Sequence, residues 1–249
     1  MSGTSGKVGI VFVSHSSKIA EGLVELAAQM AEGSTLVAAG GTDEGGIGTS
    51  FEKVSQAIGA ADSGAGVAVF CDLGSAILTA ETALDFLDDD VRERVRIVEA
   101  PLVEGGVAAA VAAESGASLD EVVAAGETAN GGGETGDGAP AESGAVSHDG
   151  GASADPAVSA AATAAGYSRS VSIVNRDGLH ARPAAEFVKL AGTFDSKVTV
   201  NGRDARSLLG IMALGLTKGS TVELASADPD GRAAVDALAD LVETGFGEE

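Results

Sequence analysis

The chain has 249 residues, 45% of them hydrophobic, which is enough for two domains with hydrophobic cores but not for more. Its 37 acidic and 15 basic residues give a formal charge of −22, which argues against nucleic acid or an anionic membrane as a partner. The single cysteine, Cys71, excludes a disulfide framework and a cysteine-based zinc site, and we find no leader and no run of 18 apolar residues. The sequence therefore predicts a cytoplasmic protein without a membrane span. Its acidity and small number of lysines predict a halophilic protein that needs molar KCl for full stability.

Residues 1–125 are predicted to form an α/β domain. Val8–Val13 is a continuous apolar run of strand length, typical of a strand buried on both faces of a parallel sheet. The polar residues 14–17 follow it, and a serine there can cap the next helix. The same alternation predicts strands over 36–39, 67–71 and 96–98, helices that include Leu23, Val54 and Leu87, and short helices over 107–113 and 119–123. A mostly parallel sheet with helices on its faces follows from this order.

Polar residues gather at the carboxyl edge of this predicted sheet. His15 follows the first strand, and Asp72 follows the third. If these strands are neighbours, Asp72 accepts a hydrogen bond from one ring nitrogen of His15 and leaves the other unprotonated for attack on phosphorus. A simpler alternative makes Asp72 the cap of the helix that begins near Gly74.

The glycine-rich loop at 40–49 is a second candidate element of this site. It does not match the nucleotide P-loop, because Ile47 stands where that motif has lysine, so a built-in ATP site is not supported. Glycines would let the backbone at Gly41 and the Thr42 hydroxyl approach a phosphoryl group on His15. A plain flexible loop would have the same composition.

Five segments of this domain resemble the DhaM family of phosphotransferase subunits, which serve dihydroxyacetone kinase. They are residues 13–16 (VSHS), 41–43 (GTD), 46–49 (GIGT), 72–76 (DLGSA) and 100–105 (APLVEG). The resemblance implies a fold similar to the mannose-type EIIA domain, which is usually a homodimer. It also implies that His15 is a phosphoacceptor whose phosphate passes to ADP on the DhaL subunit of the kinase.

Residues 126–166 have the composition of a flexible acidic linker. Glycine, alanine, serine and glutamate dominate without a hydrophobic period, so the segment cannot bury enough surface to order itself. His148 lies in this segment and is expected to be a bystander. Such a linker has a root-mean-square span on the order of 35 Å, which gives the two domains an effective concentration of about 1 mM.

Residues 167–249 are predicted to form a small α+β domain. Alternating apolar residues predict strands around 171–173, 198–200 and 222–224. A helix begins near His180, a short helix spans 208–212, and Asp228-Pro229 is predicted to start the last helix.

His180 is predicted to lie where a helix begins. Pro183 is tolerated only in a first helical turn, so His180 is at or just before the N-cap and the amides of Ala181 and Arg182 have no helical acceptor. A phosphoryl group on His180 would lie over this positive helix end, and the Arg182 guanidinium could bind its oxygens. The alternative is an ordinary capping histidine beside a solvated arginine.

Residues 178–184 (GLHARPA) resemble the active-site signature of the HPr family, the phosphocarriers of the phosphoenolpyruvate-dependent phosphotransferase system. Residues 168–246 resemble the whole HPr domain, an open-faced sandwich. The resemblance implies that His180 accepts phosphate from enzyme I. It also aligns Ser207 with a serine that a regulatory kinase modifies in some relatives, although a helix N-cap is sufficient by itself to explain Ser207 and is the preferred interpretation. Leu209 and Met212 are expected near the edge on which partners dock.

Together these patterns predict a phosphotransferase that works as a serial relay without a metal or a cofactor. Enzyme I would phosphorylate His180, His180 would phosphorylate His15, and His15 would supply ADP on a kinase formed by DhaK and DhaL. Two alternatives stay open, a component of a mannose-type sugar transporter and a regulator whose phosphorylation state is sensed by a partner. Because the sequence ends at Glu249, enzyme I is expected to be a separate protein.

Overall fold

The computed structural model describes residues 6–130 and 166–247, which form two units, each with its own sheet. The strands are β1 (Gly9–Ser14), β2 (Leu36–Gly40), β3 (Val67–Cys71), β4 (Val95–Val98), β5 (Tyr167–Ser172), β6 (Thr199–Val200), β7 (Arg203–Asp204) and β8 (Thr221–Ser226). The α-helices are α1 (Ser17–Ala28), α2 (Phe51–Ala61), α3 (Gly74–Asp85), α4 (Asp89–Arg92), α5 (Leu102–Glu114), α6 (Leu119–Glu127), α7 (Ala181–Gly192), α8 (Leu208–Met212) and α9 (Arg232–Glu243). Residues 6–130 are called the N-terminal domain below, and residues 166–247 the C-terminal domain.

The N-terminal domain is a three-layer sandwich around a parallel sheet of order β2-β1-β3-β4. Successive side chains of β1 point to opposite faces. Val11 and Val13 pack with α2 and α3, whereas Ile10 and Phe12 pack with α1, α5 and α6. All six residues of β1 are buried, as the continuous apolar run predicts for a central strand.

Helix α5 lies close to the sheet because it contains two adjacent glycines. A Cβ atom built on Gly106 would lie 2.5 Å from the ring of Phe12, and one on Gly105 would lie 2.7 Å from the Ala100 methyl group. Side chains at these positions would therefore push the helix layer away from the sheet.

Three local predictions for this domain need correction. The short helix predicted over 107–113 is the longer α5, which begins directly after Pro101. Leu87 lies beyond the end of α3, and the single-turn helix α4 has no apolar period that would have predicted it. The predicted linker also begins too early, because α6 continues to Glu127 and a 3₁₀ turn follows at Thr128–Asn130. Residues 131–165, including His148, lie outside the described residues.

The C-terminal domain has an antiparallel sheet of order β5-β8-β6-β7, the predicted α+β class. Along β8, Val222 and Leu224 are buried, whereas Thr221 and Glu223 are exposed. One face of the sheet is therefore covered by helices, and the other is open. Within the described residues of both domains, no helix has the length and apolar character needed to cross a membrane.

Two turns of this domain differ from the predictions. Asp228-Pro229 does not start the last helix, because the Asp228 carboxylate accepts the Lys197 N–H at 2.7 Å and α9 begins three residues later, after Gly231. The sequence reading also missed the β6–β7 hairpin, although Asn201 and Gly202 both have positive φ, as its two-residue turn requires.

Candidate functional site

His15 lies directly after β1, at the carboxyl edge of the N-terminal sheet. Strands β1 and β3 are neighbours, and Val13 pairs with Cys71, so Asp72 at the end of β3 lies beside the histidine. Nδ1 of His15 lies 2.8 Å from Oδ1 of Asp72, and the backbone N–H of His15 donates to Oδ2 at 2.8 Å. This is the contact expected from adjacent first and third strands.

Asp72 is held as a carboxylate. Burial raises its pKa, but hydrogen bonds from the His15 backbone and ring, the Ser14 hydroxyl and the Leu73 N–H outweigh burial and lower the pKa overall. The ionised carboxylate favours the tautomer in which Nδ1 carries the proton. Asp72 does not cap α3, because the N-cap residue is Leu73 and no side chain caps that helix.

The second ring nitrogen of His15 faces Ser75, which was not predicted from the sequence to belong to the site. Nε2 lies 2.7 Å from the hydroxyl oxygen of Ser75, in the first turn of α3. The first amides of this 12-residue helix have no helical acceptor, so the Nε2 side of the ring has the properties of an anion site. The sequence did contain one signal for this contact: Ser75 lies at the start of the helix that follows Asp72.

The glycine-rich loop is ordered by its own hydrogen bonds. Gly48 donates its N–H to the His15 carbonyl at 2.9 Å, and the Lys53 ammonium donates to the carbonyls of Gly40 and Thr42 at 3.1 and 2.8 Å. The amide of Gly41, whose φ is +73°, donates to Ser14, and the Thr42 N–H and hydroxyl both bond Gly46 within the loop. The loop thus fixes the backbone of His15. The groups that were expected to reach a phosphoryl group are already bonded, that of Gly41 to the end of β1 and those of Thr42 within the loop.

His180 is the N-cap residue of α7, where the sequence placed it. Its carbonyl accepts the Ala184 N–H at 2.9 Å, and its side chain is exposed. The preceding turn depends on Gly178, which has a φ of +71° and on which a Cβ would lie 2.4 Å from the Leu216 carbonyl oxygen. A larger residue would therefore move the segment that carries His180.

The first turn of α7 has the groups that an anion needs. Pro183 is buried there, and the amides of Ala181 and Arg182 precede the first position at which α7 can supply an acceptor. The Arg182 side chain is 69% exposed and lies 3.9 Å from the Glu186 carboxylate, so it is not fixed over the histidine. Its guanidinium can reach a group on His180 by changing rotamer.

Ser207 caps a helix, and Cys71 is a buried, unreactive thiol. The Ser207 hydroxyl accepts the Gly210 N–H at 3.1 Å as the N-cap of α8, the simpler of the two interpretations. Of the apolar residues on α8, Leu209 is half-buried and Met212 is exposed. The Cys71 thiol is buried, and burial together with Asp72 and Glu81 raises its pKa to about 12, so it is not a nucleophile at neutral pH.

Known proteins match both domains. Residues 9–123 match the EIIA-man family model, described as the PTS system fructose IIA component, and residues 167–244 match the PTS-HPr model, described as the PTS HPr component phosphorylation site. The chain is 36% identical over 97% of its length to the phosphoryl donor subunit DhaM of a PEP-dependent dihydroxyacetone kinase from Klebsiella michiganensis, and it covers 51% of that protein. It therefore spans about half the length of this relative.

Shorter relatives match each half separately. The phosphoryl donor subunit DhaM of PEP-dependent dihydroxyacetone kinase 2 from Listeria innocua is 44% identical over 42% of the chain and 84% of its own length. The phosphocarrier protein HPr of Cupriavidus necator is 46% identical over 32% of the chain and 94% of its own length. The chain therefore belongs to the DhaM family, with an EIIA-man domain followed by an HPr domain.

Proposed function

We propose that this chain is a phosphoryl carrier that receives phosphate from enzyme I on His180 and passes it to His15. From His15 the phosphate passes to ADP on the DhaL subunit of a dihydroxyacetone kinase that also contains DhaK. The observation that carries this proposal is the arrangement of the His15 ring, in which Asp72 fixes Nδ1 and the start of α3 faces Nε2. The relatives from Klebsiella michiganensis and Listeria innocua are phosphoryl donor subunits of PEP-dependent dihydroxyacetone kinases.

The transfer to His15 is an in-line displacement at phosphorus. Nε2 of His15 forms the new N–P bond while the bond to the His180 nitrogen breaks, and the proton on Nδ1 stays in its hydrogen bond to Asp72. The Ser75 hydroxyl turns from Nε2 to a phosphoryl oxygen, and the amides at the start of α3 stabilise the developing charge. Asp72, Ser75 and the first amides of α3 are already in position around the ring before the reaction, so the transfer requires little reorganisation of the protein.

The His180 half of the proposal depends on the start of α7. The amides of Ala181 and Arg182 and the mobile Arg182 guanidinium bind the phosphoryl oxygens. An exposed histidine suits a carrier that must meet a donor protein and an acceptor protein in turn. The chain is rephosphorylated in each cycle and acts in the cytoplasm, where its N-terminal domain forms a homodimer.

The test follows labelled phosphate from phosphoenolpyruvate in a mixture of enzyme I, the full chain, DhaK, DhaL, ADP and dihydroxyacetone. The His180→Ala variant should take up no label, and the His15→Ala variant should hold label on His180 without forming product. His148→Ala is the matched control and should behave as the unmodified protein does.

Two results would contradict the proposal. Label on neither histidine would exclude the relay. Label that stops on His15 while the complete kinase is present would favour a transporter or regulator as the recipient.

A further inference from the structure

The C-terminal domain contacts the N-terminal domain along α5 and α6. The Lys189 ammonium, in the last turn of α7, lies 3.3 Å from the Glu114 carboxylate at the end of α5. A Cβ built on Gly192 would lie 3.3 Å from Cβ of Ser115. The C-terminal end of α7 is therefore in direct contact with the end of α5.

Glu114 is a fixed anchor for this contact. Its side chain is only 7% exposed, and it also accepts hydrogen bonds from the Lys7 ammonium and the Ser34 hydroxyl at 2.9 Å each. Lys7 precedes β1 and Ser34 precedes β2, so the anchor lies at the amino end of the sheet. The Lys189 side chain, in contrast, is 58% exposed and is free to leave.

The rest of the contact is mainly apolar and incompletely filled, although Glu121, Asp204 and Arg206 also line it. Alanines on α5 and α6 face residues of α7 and α8 across a cavity of ≈ 410 Å³. Its lining includes Ala108 and Ala112 on one side and Val188, Ser207 and Leu208 on the other. Because an unfilled interface loses dispersion contacts, separating the two domains costs less than opening a packed core would.

This contact lies on the opposite side of the sheet from the acceptor nitrogen of His15. Nε2 faces α3, in the layer formed by α2 and α3, whereas the C-terminal domain packs outside α5 and α6 in the other layer. Helix α5 therefore lies between α7 and the sheet, and packed helix axes are about 8–10 Å apart. In-line transfer needs reacting atoms about 3–3.5 Å apart, so we expect none between the two histidines of one chain while α5 and the sheet lie between α7 and Nε2 of His15.

His180 remains accessible in the same arrangement. It precedes the first turn of α7, whereas Lys189 and Gly192 lie in the last turn, about 14–18 Å along the helix. The His180, Arg182 and Met212 side chains are exposed while the domains are in contact. A donor protein can therefore reach the histidine without separating the domains.

We propose that the α5–α6 face is a reversible docking site for the C-terminal domain of the same chain, that His180 is phosphorylated in the docked form, and that the domain must leave this site before His180 reaches His15. The docking is an interaction that the proposed function does not require, whereas its effect on transfer rests on that function. The docked form acts as a checkpoint between the two steps of the relay.

A disulfide trap tests the docking in the full chain. In a Cys71→Ser background, Gly192→Cys with Ser115→Cys has a Cβ separation near the range of natural disulfides. Oxidation should close this bond at least about tenfold faster than the bond between Gly192→Cys and Gly59→Cys, since Gly59 is exposed on α2 in the opposite layer. Equal rates for the two pairs would overturn the docking proposal.

A charge reversal provides an independent measure. Lys189→Glu should slow closure of the Gly192–Ser115 bond, and so should high salt, because both weaken the attraction to Glu114. Lys218→Glu makes the same charge change at an exposed position of the same domain and should leave closure unchanged. An equal effect of the two reversals would show that the ion pair does not hold the domains.

The trapped chain then tests the checkpoint. With the disulfide closed, enzyme I should label His180 at the rate seen after reduction, whereas transfer to His15 at high dilution should fall at least about tenfold and recover on reduction. Unchanged transfer in the trapped chain would overturn the checkpoint. If the reduced chain takes no label at all, the proposed function fails, and the closure rates still decide whether the domains dock.

Discussion

The two histidines are held in opposite ways. The His15 ring is fixed by residues about 60 positions away in sequence, with Asp72 at Nδ1 and Ser75 at Nε2. His180 is placed by its immediate neighbours, namely the turn at Gly178 and the first helical turn with Pro183. The first arrangement selects one ring nitrogen and one direction of approach, whereas the second leaves an imidazole accessible on a helix end. A site that must accept a phosphoryl group from one direction needs the first property, and a carrier that meets several proteins needs the second.

The strongest test of this contrast is Asp72→Asn. Loss of the carboxylate removes control of the His15 tautomer, so transfer from His180 to His15 should fall by about 10²–10⁴-fold. Labelling of His180 by enzyme I should not change, because Asp72 is not part of that site. Rapid-quench measurement of label on each histidine separates the two steps. Asp85→Asn, an exposed carboxylate on α3, is the control, and similar transfer rates in the two variants would show that ring orientation is unimportant.

Ser75→Ala should have a smaller effect on the same step. The hydroxyl stabilises the resting ring as well as the transferred group, so we expect transfer to slow by about tenfold to a hundredfold. The same rapid-quench assay measures this change. Ser55→Ala on α2 removes a hydroxyl that bonds only the backbone of its own helix, and it should transfer at the normal rate. An unaffected Ser75→Ala protein would exclude a role for the hydroxyl.

In the C-terminal domain, Gly178→Ala should move His180, because it changes the backbone of the turn that precedes this histidine. The positive φ and the close Leu216 carbonyl predict a destabilisation of about 2–3 kcal/mol for the C-terminal domain. Urea unfolding followed by tyrosine fluorescence reports this domain alone, since Tyr167 is the one tyrosine of the chain and tryptophan is absent from the sequence.

Gly202→Ala separates the two causes of that loss. Gly202 has a φ of +80°, but a Cβ there meets no atom within 4 Å, so its loss of stability should be only about 1 kcal/mol. Equal losses in the two variants would mean that the contact with Leu216 contributes nothing.

The smallest expected effect is on acid stability. The pKa of Asp72 is lower in the folded protein than in the unfolded chain, where it is about 3.9. The ionised carboxylate therefore contributes fully to the free energy of unfolding above that pH, and this contribution is lost as the pH falls through the lower folded pKa. Calorimetry between about pH 5 and pH 3 should show a shallower loss of stability for Asp72→Asn than for the unmodified chain. Parallel curves would contradict this linkage.

The difference between local and distant contacts also explains what the sequence could predict. The His180 site could be placed because a cap, a proline and a glycine lie within a few residues of one another. The Asp72 contact could be expected once β1 and β3 were assumed to be adjacent, an assumption that the sheet order confirms. The position of Ser75 shortly after Asp72 was a signal in the sequence, but its contact with His15 could not be predicted, because the side of the ring that faces α3 depends on the packing of separate elements.

Two further features lay beyond the sequence for physical reasons. A glycine-rich loop such as 40–49 can fold with its amides open to a ligand or hydrogen-bonded to the protein itself. Only the structure shows that the amides of Gly41 and Thr42 are hydrogen-bonded to other backbone groups. The contact between Lys189 and Glu114 joins positions 75 residues apart on two domains. A surface lysine and a glutamate in a strongly acidic chain give no pattern that predicts such a pair.

The position of Cys71 gives the protein a built-in chemical reporter. The thiol lies in the core between the sheet and the α2–α3 layer, and Cys71 directly precedes Asp72, the residue that orients His15. A thiol reagent can modify it only when that part of the N-terminal domain opens. Its rate of modification therefore measures opening around the acceptor site in the intact chain, with no label to introduce and no competing thiol in the sequence.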